Sequence, residues 1–226
     1  MTFKYMHENN HKHKVSAVIF DMDGTLVDSE RAMLEVWDRS AREMGYAFSR
    51  EIMMSTIGVT YADTIRIMRE AYPDAPHDEI RSETSAKFRA MREGGLIEAR
   101  PGALETLGAV RGMGLKIGLC TSTRMSSAKV TLESVGIIGF IDAAVFGDDV
   151  ERGKPDPEPY LLAASRLGAD PRECFAVEDS PSGARSALSA GMTVAFVPDM
   201  IPVPDDVAKQ ATLLESISQI VPLLQR

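Results

Sequence analysis

Two aspartates, Asp21 and Asp23, stand two residues apart at the end of the apolar run VSAVIF, and Gly24 follows at once. Adjacent carboxylates repel, and one tends to keep its proton. Keeping the other ionised calls for positive charge nearby. An acid pair, Glu178-Asp179, closes a second apolar run, Thr121 closes a third, and Lys154 follows the turn Gly147-Asp148-Asp149. A divalent cation fits these carboxylates. Hard oxygen ligands with few nitrogens or sulfurs point to Mg²⁺ rather than Zn²⁺. The second carboxyl can remain an acid that donates a proton. One nucleophile and one acid/base beside a metal and a lysine suit phosphoryl transfer through an aspartyl-phosphate.

The elements that must position these groups are legible in the pattern. The runs VSAVIF, LKIGLCT, AAVFGDD, CFAVED and MTVAFV are short and apolar. Helix-like segments near 126–135, 157–168 and 181–190 separate the later ones. This is the signature of an α/β fold, a Rossmann-like doubly wound parallel sheet covered on both faces. Ligands bind such a sheet outside the carboxyl ends of its strands. Asp21, Thr121, Lys154 and Glu178-Asp179 therefore converge on one edge.

One interval breaks the rhythm. SERAMLEVWDRSAREMG, ADTIRIMREAY and DEIRSETSAKFRAMRE read as helices, with Gly45 and Gly94-Gly95 as stops. The expected organisation is a tail over 1–14, a core domain over 15–28 and 101–226, and an α-helical cap domain over 29–100. The cap leaves from the same edge as the acids and can cover them as a lid. Met33, Val36, Trp37 and Met44 recur at helical spacing and read as cap packing rather than ligand contacts.

The chain has 226 residues, of which 44% are hydrophobic, enough for one core with an insert. No apolar stretch approaches the ~18 residues of a membrane span. The polar start MTFKYMHENNHKHK does not resemble a signal peptide, and its His7, His11 and His13 read as an unanchored arm rather than a metal site. Cys120 and Cys174 lie inside apolar runs and read as buried thiols of a cytoplasmic protein. A formal net charge of −8 argues against a nucleic-acid surface, while local cations still permit an anionic substrate. A monomer is expected.

Each signal has an ordinary rival. Asp-Gly is common in turns. Thr121 alone suits a strand and Lys154 alone a solvated loop. Ser180-Pro181 reads as a helix start, which Asp179 would favour without any metal. Their joint occurrence is what argues for a site.

DMDGT at one strand end, LCTS at the next, GKPDPEPY, and VEDSPSGARSALSAGM resemble the haloacid dehalogenase-like hydrolase superfamily, in order and in spacing, from Val15 to about Val197. The likeness is closest to the subgroup with a helical cap between the first two motifs, which includes β-phosphoglucomutase and small-sugar or phosphoglycolate phosphatases. The resemblance implies that Asp21 attacks phosphorus and that Asp23 protonates the leaving oxygen and then activates water. It implies that Thr121 and the Ser122 backbone bind phosphate oxygens and that Lys154 holds the phosphate. It also implies that Mg²⁺ is bound by Asp21, the Asp23 carbonyl and Asp179, with Glu178 orienting the metal or its water.

Asp23 favours phosphate chemistry, since the dehalogenases lack it. The mutase has a cap histidine twelve residues after its nucleophile, where Met33 stands here. Its cap arginine corresponds to Tyr61 in Gly58-Val59-Thr60-Tyr61. Its cap lysine corresponds to a position near Glu83, with Lys87 one turn away. Hydrolysis of a small phosphorylated metabolite, a sugar phosphate or short acid phosphate, is therefore expected over a phosphosugar mutase or a non-catalytic phospho-ligand sensor. The cap cations Arg66, Arg69, Lys87, Arg89 and Arg92 are either substrate contacts or solvated helix faces.

Overall fold

The computed structural model describes residues 15–57 and 61–225. The histidine-bearing start and the step Gly58-Val59-Thr60 lie outside them, as does the side chain of Tyr61. The described residues begin with β1 (Ala17–Phe20) and pass through four helices, α1 (Ser29–Glu43), α2 (Arg50–Met54), α3 (Tyr61–Ala71) and α4 (His77–Glu93). It then alternates: α5 (Ala103–Gly112), β2 (Lys116–Cys120), α6 (Met125–Ser134), β3 (Ala143–Val145), α7 (Glu158–Leu167), β4 (Cys174–Glu178), α8 (Pro181–Ser189) and β5 (Thr193–Phe196). A short helix α9 (Asp205–Ala208), a two-residue strand β6 (Thr212–Leu213) and α10 (Ile220–Leu224) complete the chain.

Among the described residues the six strands of the sheet are all parallel, in the order β3-β2-β1-β4-β5-β6. β1 is central and buried along its whole length, because both of its faces are covered. Val18 and Phe20 point to one side and pack with Leu107 and Val110 of α5 and Leu132 of α6. Ala17 and Ile19 point to the other and pack with Tyr160 and Leu167 of α7 and Ala187 of α8. Covering both faces is why the strand reads as an unbroken apolar run. Each large apolar side chain so buried contributes about 1.5–3 kcal/mol.

The four helices after β1 have a small core of their own, centred on Ala41, Phe48, Met53, Met68 and Ile80. Val36 of α1 and Phe88 of α4 join the main core instead. They press the helical insert onto the sheet. Gly45 (φ +86°) and Gly95 (φ +66°) follow α1 and α4 in the left-handed region, as expected of helix stops. Among the described residues no helix is long and apolar enough to cross a membrane.

Candidate active site

Register brings the acids together. Phe20 pairs with Leu119 on one side and Val177 on the other, so the next residues, Asp21, Cys120 and Glu178, emerge side by side. Asp21 is buried, and its backbone N–H still donates to the Val177 carbonyl at 3.0 Å. The chain then turns sharply. Leu26 and Val27 both donate to the Met22 carbonyl, and Gly24 takes φ +83°. A Cβ on Gly24 would sit 2.1 Å from Asp179 Oδ2. The glycine thus supplies both the backbone conformation and the room in which Asp179 lies. Thr25 Oγ1 donates to Asp179 Oδ1 at 3.1 Å and fixes that carboxylate.

Lys154 reaches into this edge from the loop before α7. Its Nζ donates to Asp21 Oδ1 at 2.6 Å, to Glu178 Oε1 at 2.6 Å and to the Cys120 carbonyl at 2.9 Å. Glu178 is fully buried, and its other partners are the Tyr160 hydroxyl at 2.7 Å and, on Oε2, the Ser180 backbone N–H and hydroxyl. Both oxygens of Glu178 therefore already accept protein donors. The Ser180 hydroxyl also accepts from the Gly183 N–H, so the helix start read at Ser180-Pro181 forms as well. Tyr160, at the end of GKPDPEPY, has no sequence signal that sets it apart from a packing aromatic.

Asp23 lies in a different environment. Ser29 Oγ donates to its Oδ1 at 2.6 Å, and Thr123 Oγ1 and Thr121 Oγ1 donate to its Oδ2 at 2.7 and 3.2 Å. Thr121 in turn accepts the Thr123 N–H. Ser29 and Thr123 carried no distinguishing pattern in the sequence. Ser122 is exposed, and its carbonyl packs so closely on Gly147 that a Cβ there would come within 2.0 Å. Asp148 and Asp149 serve the loops: Asp148 accepts the Met125 N–H, while Asp149 accepts the Phe146 N–H and pairs with Arg166 at 2.8 Å.

The charges do not balance. Oxygens of Asp21, Glu178 and Asp179 all lie within 4.8 Å of one another. Burial raises Asp21 well above the ordinary aspartate value; Lys154 opposes this, while Glu178 and Asp23 add to it. Asp179 is raised likewise, by burial and then by Asp21, Glu178 and Glu30. Burial works against the Lys154 ammonium, but Asp21 and Glu178 outweigh it and hold its pKa well above the usual lysine range. Excess negative charge in a dry, all-oxygen cluster is what a bound cation offsets, and the donor set fits a hard metal ion. A second acidic group joins at Asp179, where Glu30 and Asp199 approach within the same distance. Glu30 is pushed up to about 7 by burial and by Asp199 and Asp23.

A cavity of about 420 Å³ opens beside Asp23 and Thr123. Ser29, Glu30, Met33, Leu34 and Trp37 form one wall, with Thr56, Ile57, Thr64, Phe88 and Arg92 around it. Met33 and Trp37 are thus not simply packing residues. The spacing 30, 33, 34, 37 is one face of α1, and that face looks into the cavity. Trp37 keeps a packing role too, edge-on to Phe48 at 6.4 Å. Lys87 is bound to Glu43 and, at 3.4 Å, to Glu83, and it does not line the cavity.

A parallel sheet with buried acids at its carboxyl edge and a helical insert after the first strand defines a Rossmann-like hydrolase class. The chain belongs to the haloacid dehalogenase-like hydrolase family, whose model matches residues 18–197. Within that family it falls in the β-phosphoglucomutase-like subgroup. It is 36% identical over 180 residues to a phosphorylated carbohydrates phosphatase of Thermotoga maritima, covering 79% of this chain and 82% of that one. It superposes on a Thermotoga maritima structure provisionally described as a β-phosphoglucomutase with TM-score 0.78 and 30% identity, over 93% of this chain and 98% of that one. A haloacid dehalogenase family hydrolase from Deinococcus radiodurans R1 with bound phosphate and sodium matches with TM-score 0.82 and 26% identity, over 94% and 96%.

Proposed function

We propose that this hydrolase is a Mg²⁺-dependent phosphatase of a small phosphorylated metabolite, a sugar phosphate or related phosphomonoester, acting through an aspartyl-phosphate. The observation that carries this reading is the contrast between two neighbouring carboxylates. Asp21 is buried against the Lys154 ammonium, whereas Asp23 is held by three hydroxyls at the mouth of a cavity. Environments that differ this much divide the roles of nucleophile and acid/base.

In the first step an Asp21 oxygen bonds to phosphorus and the bond to the leaving oxygen breaks. That oxygen takes its proton from Asp23 as it departs. In the second step Asp23, now a carboxylate, removes a proton from water while the water oxygen bonds to phosphorus, freeing Asp21 and inorganic phosphate. Lys154 meets the charge of the equatorial oxygens, and Thr121 and the Ser122 backbone complete their binding. Asp21, Asp179 and the Asp23 carbonyl would hold Mg²⁺, which supplies further charge stabilisation of the phosphoryl group. Glu178, tied to Lys154 and Tyr160, fixes the lysine and would lend its charge to orienting the metal.

The helices from Ser29 to Glu93 act as the cap that closes over the leaving group. Met33 favours hydrolysis over phosphosugar mutation: an apolar side chain lines the cavity where the mutase has its histidine. The two cysteines, both free and buried, support a reducing, cytoplasmic setting. The test is phosphate release from a panel of sugar phosphates and small organic phosphates, with and without Mg²⁺, for wild type and Asp21→Asn. Release that needs Mg²⁺ and Asp21 is expected. Equal release by Asp21→Asn would overturn the reading, and isomer without free phosphate would move it to the mutase.

A further inference from the structure

We propose that Arg92 selects the leaving group, and that the substrate carries a second anionic oxyacid group, a carboxylate or a second phosphate, on the carbon skeleton beyond the scissile ester. This rests on the phosphatase reading above and names its substrate class.

The pairing of the cations on the helical insert carries the argument. Arg66 lies 3.3–3.4 Å from Asp63 and Glu70, and Arg69 lies 3.5 Å from Asp78. Lys87 is bound to Glu43 and Glu83, and Arg100 lies 2.6 Å from Asp199. Arg89 is exposed. Arg92 is half-buried, yet among the described residues no carboxylate lies within ion-pair distance of it. Its guanidinium rests instead over the Phe88 ring, 5.1 Å from the centroid. Burial lowers its pKa from the ordinary arginine value, with Asp23 pulling the other way.

Position and chemistry then agree. Phe88 and Arg92 are four residues apart on α4, so both face inward, and Phe88 is anchored in the main core. Arg92 lines the same cavity as Asp23, whereas Asp21 and Lys154 do not line it. Arg92 is therefore on the side of Asp23 where the leaving oxygen departs, away from the phosphoryl group itself. A half-buried guanidinium without a counter-ion is costly unless something else supplies one. Its planar fork matches a carboxylate or phosphate in bidentate fashion, and a neutral polyol has no use for that geometry. The Trp37 and Phe88 faces and the Thr56 and Thr64 hydroxyls leave room for a short carbon chain between the two charges.

The experiment measures kcat/KM for 3-phosphoglycerate, glycerol 1,3-bisphosphate and glycerol 3-phosphate, three esters of one skeleton size, with wild type, Arg92→Gln and Arg92→Lys. A charge-assisted hydrogen bond contributes enough for a preference of about 10- to 100-fold for the anionic esters over the neutral one in wild type. Arg92→Gln is expected to collapse that ratio to under about threefold, chiefly through KM, and Arg92→Lys to restore part of it. The better of the two anionic esters identifies which oxyacid the site takes. A wild-type ratio near one, or a Gln variant that loses the same factor on every ester, overturns the proposal. p-Nitrophenyl phosphate separates the two readings. Wild type that hydrolyses it with Mg²⁺ but shows no preference for anionic esters refutes only the role of Arg92. Wild type that releases no phosphate from any ester refutes the phosphatase reading as well.

Discussion

Thr123 Oγ1 donates to Asp23 Oδ2 across 2.7 Å, so a side chain from the loop after β2 holds the acid that follows β1. Ser29 holds the other oxygen from the first turn of α1, and Thr121 adds a longer bond. In the role proposed for it, Asp23 must be placed accurately relative to the oxygen it protonates. Hydrogen bonds to a charged group are worth about 1.5–3 kcal/mol, and Thr123→Val leaves two donors in place. The expected loss in kcat is at the low end, about tenfold, with KM nearly unchanged. Steady-state kinetics check this, and an unaltered kcat would mean that Ser29 and Thr121 suffice.

Asp21→Asn should separate activity from stability. Loss of the proposed nucleophile is expected to lower kcat by at least about 10³-fold. The same change removes one carboxylate from a buried, over-negative cluster. The metal-free variant is therefore expected to melt at or above the wild-type temperature, while its gain in melting temperature on adding Mg²⁺ shrinks. Thermal unfolding with and without Mg²⁺ reads both effects.

Gly24→Ala combines two penalties. The backbone there is left-handed, which costs a non-glycine residue roughly 1–3 kcal/mol. The new Cβ would also fall on Asp179 Oδ2. Displacement of that carboxylate is expected to weaken Mg²⁺ binding by about tenfold or more, alongside the loss in stability. Titration calorimetry of the variant tests the metal, and denaturant melts test the fold.

Glu30 makes stability depend on pH. Its folded-state pKa is raised from 4.5 to about 7, so the folded protein holds this proton more tightly than the unfolded chain does. The stabilisation is complete below pH 4.5 and is lost as pH rises through about 7. The difference amounts to about 3 kcal/mol over that window. Metal-free wild type is expected to lose more stability than Glu30→Gln between about pH 5.5 and pH 8. Glu30 is also one of the charges that raise Asp179, so the difference between the two profiles reads Glu30 together with its effect on that carboxylate. Parallel pH profiles would contradict the assignment.

The five strands with apolar runs were legible because a strand covered on both faces must be apolar at every position. β6 was not, since its Thr212 and Leu213 are exposed and two residues make no pattern. α5 buries Ala103, Thr106, Leu107 and Val110, a helical stripe that ALETLGAVRG does contain but that lies between the long insert and β2. Met33 and Trp37 mark the limit of periodicity. Spacing says that they share a helix face, but it does not say whether that face meets a core or a cavity.

Residue type and local order were enough for the acids, the lysine and their strands, because a turn after an apolar strand and a glycine at positive φ are local requirements. Long-range approach determined the rest. That Lys154 bridges Asp21 and Glu178 and that Thr123 holds Asp23 are contacts between elements distant in sequence, and that Arg92 alone among the half-buried insert cations has no carboxylate among the described residues depends on what packs around it. Such contacts follow from parallel register and from packing the insert on the sheet, and side-chain periodicity along the chain does not encode either one.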